Sequence, residues 1–293
     1  MNRVRKQIHY SRAEKEQLTG YHIGVGVLDS GIFPHEDLKD QIRAFRDFTN
    51  KYQLPYDETG HGTHVCGILA GNGRVLHGKY KGMAPCCDLY VGKILDKKGE
   101  GSLKTLLRGL EWLLSIAESC NIRIINISVS SIASARQEEQ KRLYDLFHYA
   151  YENNILIVTA AGNFGPGDNT ISRLGDTPYV ICVGCHDGDL ENGGLRCQDC
   201  SGRGPGENVW KKPDVVAPGT QIISCQAAYG KYVARSGTSM ATPIVSGLLA
   251  LACEKYPYLT AMQLKRKLII SATDLGESYL MQGAGMVDVE KML

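Results

Sequence analysis

Short apolar runs alternate with helix-length segments along this chain, and that alternation restricts the fold more than any other feature. Residues 23–28 (IGVGVL), 88–95 (DLYVGKIL), 122–127 (IRIINI) and 155–159 (ILIVT) read as strands, with further strands expected near residues 180 and 221. Residues 102–120 carry Leu103, Leu106, Leu107, Leu110, Leu113 and Leu114 at helical spacing, and Ser102 stands where an N-cap belongs. Residues 61–70, 137–153, 240–256 and 260–271 also read as helices, although Gly62 and Gly67 weaken the first. Strands separated by such helices need crossover connections, which make a mostly parallel sheet. The near-continuous apolar runs agree, because both faces of such a sheet are covered. The expected class is α/β, with sites at the carboxyl ends of the strands.

Composition removes several functions. The chain has 293 residues, 43% of them apolar, and 33 basic against 31 acidic residues give a net charge of +2. That is enough apolar content for a core and too little charge for a disordered chain. A near-neutral chain offers no electrostatic reason to bind nucleic acid. The N-terminal MNRVRKQIHYSRAEKEQ has no apolar core of a secretory signal. The longest apolar stretch, residues 244–253, is about half of the roughly 20 residues a membrane span needs. A soluble, cytoplasmic protein with no membrane partner is expected, and its oligomeric state is left open.

The ten cysteines of a long chain without a signal read as free thiols in a reducing compartment. Cys182-x-x-Cys185 and Cys197-x-x-Cys200 have the spacing of a zinc ribbon. However, residues 179–184 read as a strand, on which residues three apart point to opposite faces. No metal site is expected there.

Three residues with complementary chemistry sit beside glycines: Asp29 in VLDSG, His61 in GHGTHVCG and Ser239 in SGTSMATP. Acyl transfer needs a hydroxyl nucleophile, an imidazole to take its proton and a carboxylate to orient the imidazole. Taken singly, an Asp after a strand is usually a turn residue and a Ser at a helix start usually an N-cap. Their conjunction is what carries weight. VLDSGI, GHGTHVCGILAG, AAGNFG, KPDVVAPGT and SGTSMATPIVSG, in that order, resemble the signature blocks of the subtilisin-like serine proteases, the subtilases. The resemblance runs from about Gly20 to GAGMVDV, nearly the whole chain.

The resemblance implies a three-layer αβα fold with a mostly parallel central sheet, and a peptidase domain over residues 21–293 after an N-terminal extension over residues 1–20. It implies a serine endopeptidase acting on peptide or protein substrates. Asp29 would orient His61, His61 would be general base and then acid, Ser239 the nucleophile and Asn163 the side-chain donor to the oxyanion. Substrate would pair as an added strand between residues 99–101, ending at Gly101, and Ser128, Val129 and Ser130. Leu103 and Leu106 would line an outer apolar pocket. Phe164 and Ser172 would line the primary pocket, making it uncharged and favouring apolar residues before the scissile bond. His64 is assigned to structure.

Departures from the family pattern bear on function. ISVSS follows Asn126 where the family more often has a Ser-x-Gly-Gly run, so Ser130 is expected to narrow the primary pocket. The loop after the histidine helix, GNGRVLHGKYKG, is basic and lacks the carboxylates of a calcium loop; Asp37 supplies one ligand at most. No cofactor is expected to be required, and a structural calcium is left open. Only 28 residues precede Asp29, which resembles the intracellular branch, whose members lack the long pro-segment of secreted enzymes. The N-terminal RKQIHYSRAEKEQ is a candidate cover for the cleft. A catalytically silent subtilase-like binding protein is the alternative. A dinucleotide-binding protein is excluded because Asp29 takes the place of the third glycine of the fingerprint. A lipase is excluded because GTSMA lacks the G-x-S-x-G elbow.

Overall fold

The computed structural model describes residues 1–293 apart from 51, 130–135, 188–195 and 208–209. The chain opens with two short helices, α1 (Asn2–Gln7) and α2 (Ser11–Lys15), and then enters β1 (Gly24–Asp29) and β2 (Ile42–Asp47). Next come α3 (His61–Ala70), β3 (Asp88–Lys93), α4 (Leu103–Ile116), β4 (Ile122–Ile127), α5 (Gln137–Glu152), β5 (Leu156–Ala160) and β6 (Val180–Cys185). The single-turn α6 (Cys197–Cys200) precedes β7 (Val215–Ala217), β8 (Ile222–Cys225) and β9 (Tyr232–Arg235). The chain closes with α7 (Thr238–Lys255), α8 (Ala261–Ser271), α9 (Tyr279–Gln282) and α10 (Val289–Met292).

Seven strands form one sheet in the order β2-β3-β1-β4-β5-β6-β7, and every neighbouring pair in it is parallel. β8 and β9 form a separate antiparallel ribbon. Alternate strand residues feed two cores. Leu156 and Val158 face the core shared with α3 and α7, whereas Ile157 faces the one built with α4 and α5. This is the mostly parallel, double-covered sheet the apolar runs call for. Ser102 caps α4, its hydroxyl accepting from Thr105 N–H.

α7 explains the long apolar run near the C-terminus. Every residue from Met240 to Cys253 is buried, so the helix is enclosed on all sides. That is how an apolar-all-round helix is stable without a membrane; no described helix is long and apolar enough to cross one.

Residues 1–18 pack into the main core. Val4, Ile8, Tyr10 and Ala13 are buried there. Gln7 Nε2 donates to Asp187 O, Arg5 to Gly82 O, the Tyr10 hydroxyl to Met83 O, and Val289 N–H to Ile8 O. None of these partners belongs to the cleft proposed from the sequence, so the segment is seated away from it. Burying a side chain such as Ile8 contributes about 1.5–3 kcal/mol.

The cysteine reading needs correction. Cys185 and Cys197 form a disulfide, so eight cysteines are free, not ten. Cys185 ends β6 and Cys197 opens α6, twelve residues later; only the fold makes them neighbours. The thiols of Cys66, Cys87, Cys182, Cys225 and Cys253 are buried, and burial raises the pKa of each, Cys182 to about 12 and Cys253 to about 11. They behave as small apolar side chains.

Candidate active site

Asp29 closes β1 at its carboxyl end and is fully buried; His61 opens α3 with its side chain 24% exposed. His61 Nδ1 lies 2.7 Å from Asp29 Oδ1, which also accepts from Ser30 N–H at 2.7 Å. This approach depends on Gly62. A Cβ there would lie 2.1 Å from Gly31 O and 3.2 Å from Asp29 Cβ, so any side chain would push the start of α3 off the end of β1. Burial is the largest influence on the imidazole and lowers its pKa. The charge and hydrogen bond of Asp29, aided by Asp57, outweigh it, and the net shift is upward.

Behind the pair is a second carboxylate that the sequence reading did not single out. Asp57 is buried, and its Oδ1 accepts from Ser30 Oγ at 2.8 Å and Gly60 N–H at 2.9 Å. Its Oδ2 accepts from Thr63 N–H at 2.8 Å and Thr63 Oγ1 at 2.6 Å. It therefore ties the end of β1 to the start of α3. Lys93 was missed as well. Its fully buried ammonium donates to Ser30 O and Leu95 O at 2.7 and 2.8 Å and pairs with Glu58 at 3.1 Å. One signal was available: a lysine inside the apolar run DLYVGKIL needs partners if buried.

His64 has a different environment. It is fully buried, and Nε2 lies 3.0 Å from the carbonyl oxygens of Ile222 and Val233, which bind α3 to the β8–β9 ribbon. Burial pushes its pKa down to about 3, so the ring is neutral at working pH.

Ser239 lies in the first turn of α7, beyond Gly237, whose φ of 143° suits glycine. A Cβ on Gly237 would stand 3.4 Å from Asn163 Nδ2, so the glycine also keeps that amide clear. The Ser239 hydroxyl donates to Ser128 O at 2.8 Å. Asn163 follows β5 and is exposed; its Oδ1 accepts from Thr238 N–H and Oγ1, each at 3.1 Å. Those two bonds turn Nδ2 the other way, free to donate. Ser239 N–H is one of the first four of α7, which have no acceptor within the helix.

Of the substrate residues expected from sequence, Ser128 touches this centre directly, through its carbonyl oxygen and the Ser239 hydroxyl. Gly101 pairs with Leu95 in an antiparallel bridge. Ser128 and Val129 are buried past the end of β4, and the Ser128 hydroxyl accepts from Asn126 Nδ2 at 2.9 Å. Ser130 lies outside the described residues. Leu103 is 6% exposed and Leu106 not at all, so Leu106 can be only the back of a pocket. Phe164 is 59% exposed, whereas Ser172 is buried with its hydroxyl donating to Ala160 O at 2.6 Å. Asp168 is exposed.

For calcium, the donor set fits poorly. Asp37 Oδ1 accepts from Val75 N–H at 3.0 Å, and Oδ2 from the Tyr232 hydroxyl at 2.6 Å. His35, Asp37 and Cys225 place ligand atoms within 4.8 Å of one another. Yet His35 Nδ1 already accepts from Asp37 N–H, and Nε2 lies 3.1 Å from Lys231 O. Neither ring nitrogen offers a spare lone pair. The Cys182 and Cys200 thiols do not join the bonded pair in a four-sulfur site: Cys200 Sγ points to Cys197 O at 3.3 Å.

A parallel sheet with a carboxylate and an imidazole paired at its carboxyl end, and a serine in the first turn of a buried helix, narrows the class that comparison then identifies. The chain belongs to the subtilase family, whose pattern matches residues 20–287. It is 36% identical over 299 residues to the serine protease AprX of Bacillus subtilis (strain 168), covering 94% of this chain and 67% of that one. It is 32% identical to subtilisin DY of Bacillus licheniformis, covering 95% and 94% of the two chains. The solved structure of sphericase superposes with a TM-score of 0.80 at 30% identity, covering 92% of each chain. The protein is a serine endopeptidase of subtilisin type.

Proposed function

We propose that this chain hydrolyses peptide bonds through Ser239, His61 and Asp29 by way of an acyl-enzyme. The 2.7 Å pairing of Asp29 with His61 carries the reading. It leaves Nδ1 protonated and presents Nε2 as the base. In the resting state the Ser239 hydroxyl sits on Ser128 O. To react, the hydroxyl leaves that carbonyl for His61 Nε2, which takes the proton as Oγ bonds to the scissile carbonyl carbon. Asp29 holds the resulting imidazolium. The oxyanion accepts from Asn163 Nδ2 and Ser239 N–H, at the helix end that favours negative charge. The C–N bond breaks as His61 gives its proton to the leaving amine. Water then repeats the sequence on the ester.

The acyl half of the substrate adds as a strand between Gly101 and the Ser128–Val129 stretch, with Ser130 beyond it. Leu103 backed by Leu106 receives an outer apolar side chain. Phe164 and Ser172 bound the primary pocket without charge, so a Lys or Arg head group finds no compensation for lost water, whereas an apolar side chain gains about 1.5–3 kcal/mol. Asp37, already satisfied by Tyr232 and Val75, makes bound calcium unnecessary there. We assign residues 21–293 to the peptidase domain and residues 1–20 to an extension. The eight free thiols favour a cytoplasmic location, whereas the Cys185–Cys197 disulfide favours an oxidising one.

A fluorophosphonate probe tests the mechanism: it should label Ser239, and Ser239→Ala should take no label. A folded chain that takes no label would return the silent binder. Chromogenic peptides ending in Leu, Phe, Lys or Arg test the pocket, and a higher kcat/KM for Lys or Arg would overturn the apolar assignment.

A further inference from the structure

We propose that Arg235 makes the enzyme select substrates carrying a carboxylate just beyond the scissile bond, on the leaving-group side; the proposal rests on the peptidase reading above. Arg235 ends β9, four residues before Ser239. Its guanidinium lies beside the start of α3: Nη2 donates to Thr59 O at 2.8 Å and stands 3.5 Å from where a side chain on Gly60 would begin. That carbonyl is its only hydrogen-bond acceptor among the described residues, and its buried Nε–H has no partner.

The nearby carboxylates are committed elsewhere. Asp29 serves His61 and Ser30. Asp57 is filled by Ser30, Gly60 and Thr63. Glu58 pairs with Lys93. No described carboxylate lies within 4.0 Å of Arg235. A partly buried guanidinium with donors to spare is a carboxylate receptor, because its fork matches two oxygens at once.

Its placement fixes which part of the substrate it meets. The acyl half lies against Gly101 and Ser128–Val129, and Arg235 bonds to neither. It stands instead by Thr59 and Gly60, on the flank of the imidazole that hands its proton to the departing amine. The first residues of the departing peptide pass this flank. A Glu or Asp there gains an ion pair, and a Lys meets a like charge.

Internally quenched peptides with Leu before the scissile bond, and Glu, Gln or Lys at each of the two positions after it, test this. The parent should prefer Glu over Lys in kcat/KM by about fivefold or more at one of those positions, the size expected of a partly exposed ion pair set against a repulsion. The ratio should shrink as salt is raised. Arg235→Gln should bring it to about one and Arg235→Glu should invert it, while Lys231→Gln, which removes an exposed cation four residues away, should keep it. Fluorophosphonate labelling confirms that each variant is folded and active. Equal rates for Glu and Lys peptides in the parent, or a preference that survives both Arg235 variants, overturn the proposal. If no peptide is cleaved and no label is taken, the peptidase reading itself fails.

Discussion

The two halves of the site are built differently. Around His61 the protein uses buried charge: Asp29, Asp57 and Lys93 are all enclosed and tie β1, the stretch before α3, and the end of β3 together. Around Asn163 it uses an exposed loop. Asn163 and Phe164 stand in solvent, and the loop is tied by backbone bonds such as Gly165 N–H to Cys200 O and Gly202 N–H to Gly162 O. The half that must hold a proton-transfer geometry is held by buried, hydrogen-bonded charges. The half that must meet varied substrates is left open, at little cost in unsatisfied groups.

This contrast can be broken experimentally. The largest effect should come from Ser239→Ala or His61→Ala, each lowering peptide hydrolysis by about 10⁴-fold or more, because the three groups act as a unit. His64→Ala should instead act on folding and leave turnover in whatever folds. A folded, inactive His64→Ala beside an active His61→Ala would exchange the two roles.

The next two variants separate the halves. Asp57→Asn turns an amide N–H₂ toward the Thr63 donors and removes two charge-assisted hydrogen bonds. It should cost roughly 3–6 kcal/mol of stability in urea melts. Asn163→Ala should leave the melt nearly unchanged and lower kcat by about 10²–10³, the loss typical of an oxyanion donor, with little change in KM. If Asn163→Ala destabilises as much as Asp57→Asn, the division drawn here is wrong.

Reducing Cys185–Cys197 should be milder. Closing a loop across a separation of 12 residues is worth about 3 kcal/mol through the unfolded chain, so reductant or Cys197→Ser should lower the melt by about that amount and leave kcat measurable. An unchanged melt after confirmed reduction would remove the bond from the stability of the Asn163 half.

The smallest effect is in pH. His61 must be neutral to accept the Ser239 proton, and its pKa is raised in the fold. Activity should therefore fall as pH drops through a value above the usual imidazole range of about 6.5. By the same shift, the stability that the Asp29–His61⁺ pair contributes is present below about 6.5 and is lost as pH rises through the raised value. Arg235→Gln removes a like charge, so it should move the acid limb of kcat/KM further up. Asp29 and Asp57 are the other groups that act on the ring, and Asp57→Asn should move the limb the opposite way. A limb at or below 6.5 in the parent would show that burial, not Asp29, sets the imidazole.

Much of the frame was determined by the sequence alone. Leucines at helical spacing marked α4, helix-length segments marked α3, α5, α7 and α8 to within a few residues, and apolar runs marked β1, β3, β4 and β5. Local patterns suffice where one face, or both, must be buried. β2 escaped because IRAFRD is a partly exposed edge strand with no continuous apolar run, and β7 because three residues carry no period. The two N-terminal helices escaped because only a few apolar side chains anchor them. Candidate residues at the site were legible as chemical types beside glycines. Their mutual distances, the Asp57 and Lys93 buttress, the seat of the Arg235 guanidinium on Thr59 O and the Cys185–Cys197 bond were decided by tertiary structure. The physical reason is the same in each case: hydrogen bonds, charge pairs and disulfides act over a few ångströms, and groups far apart in the chain reach that range only when the sheet and its helices have closed around them.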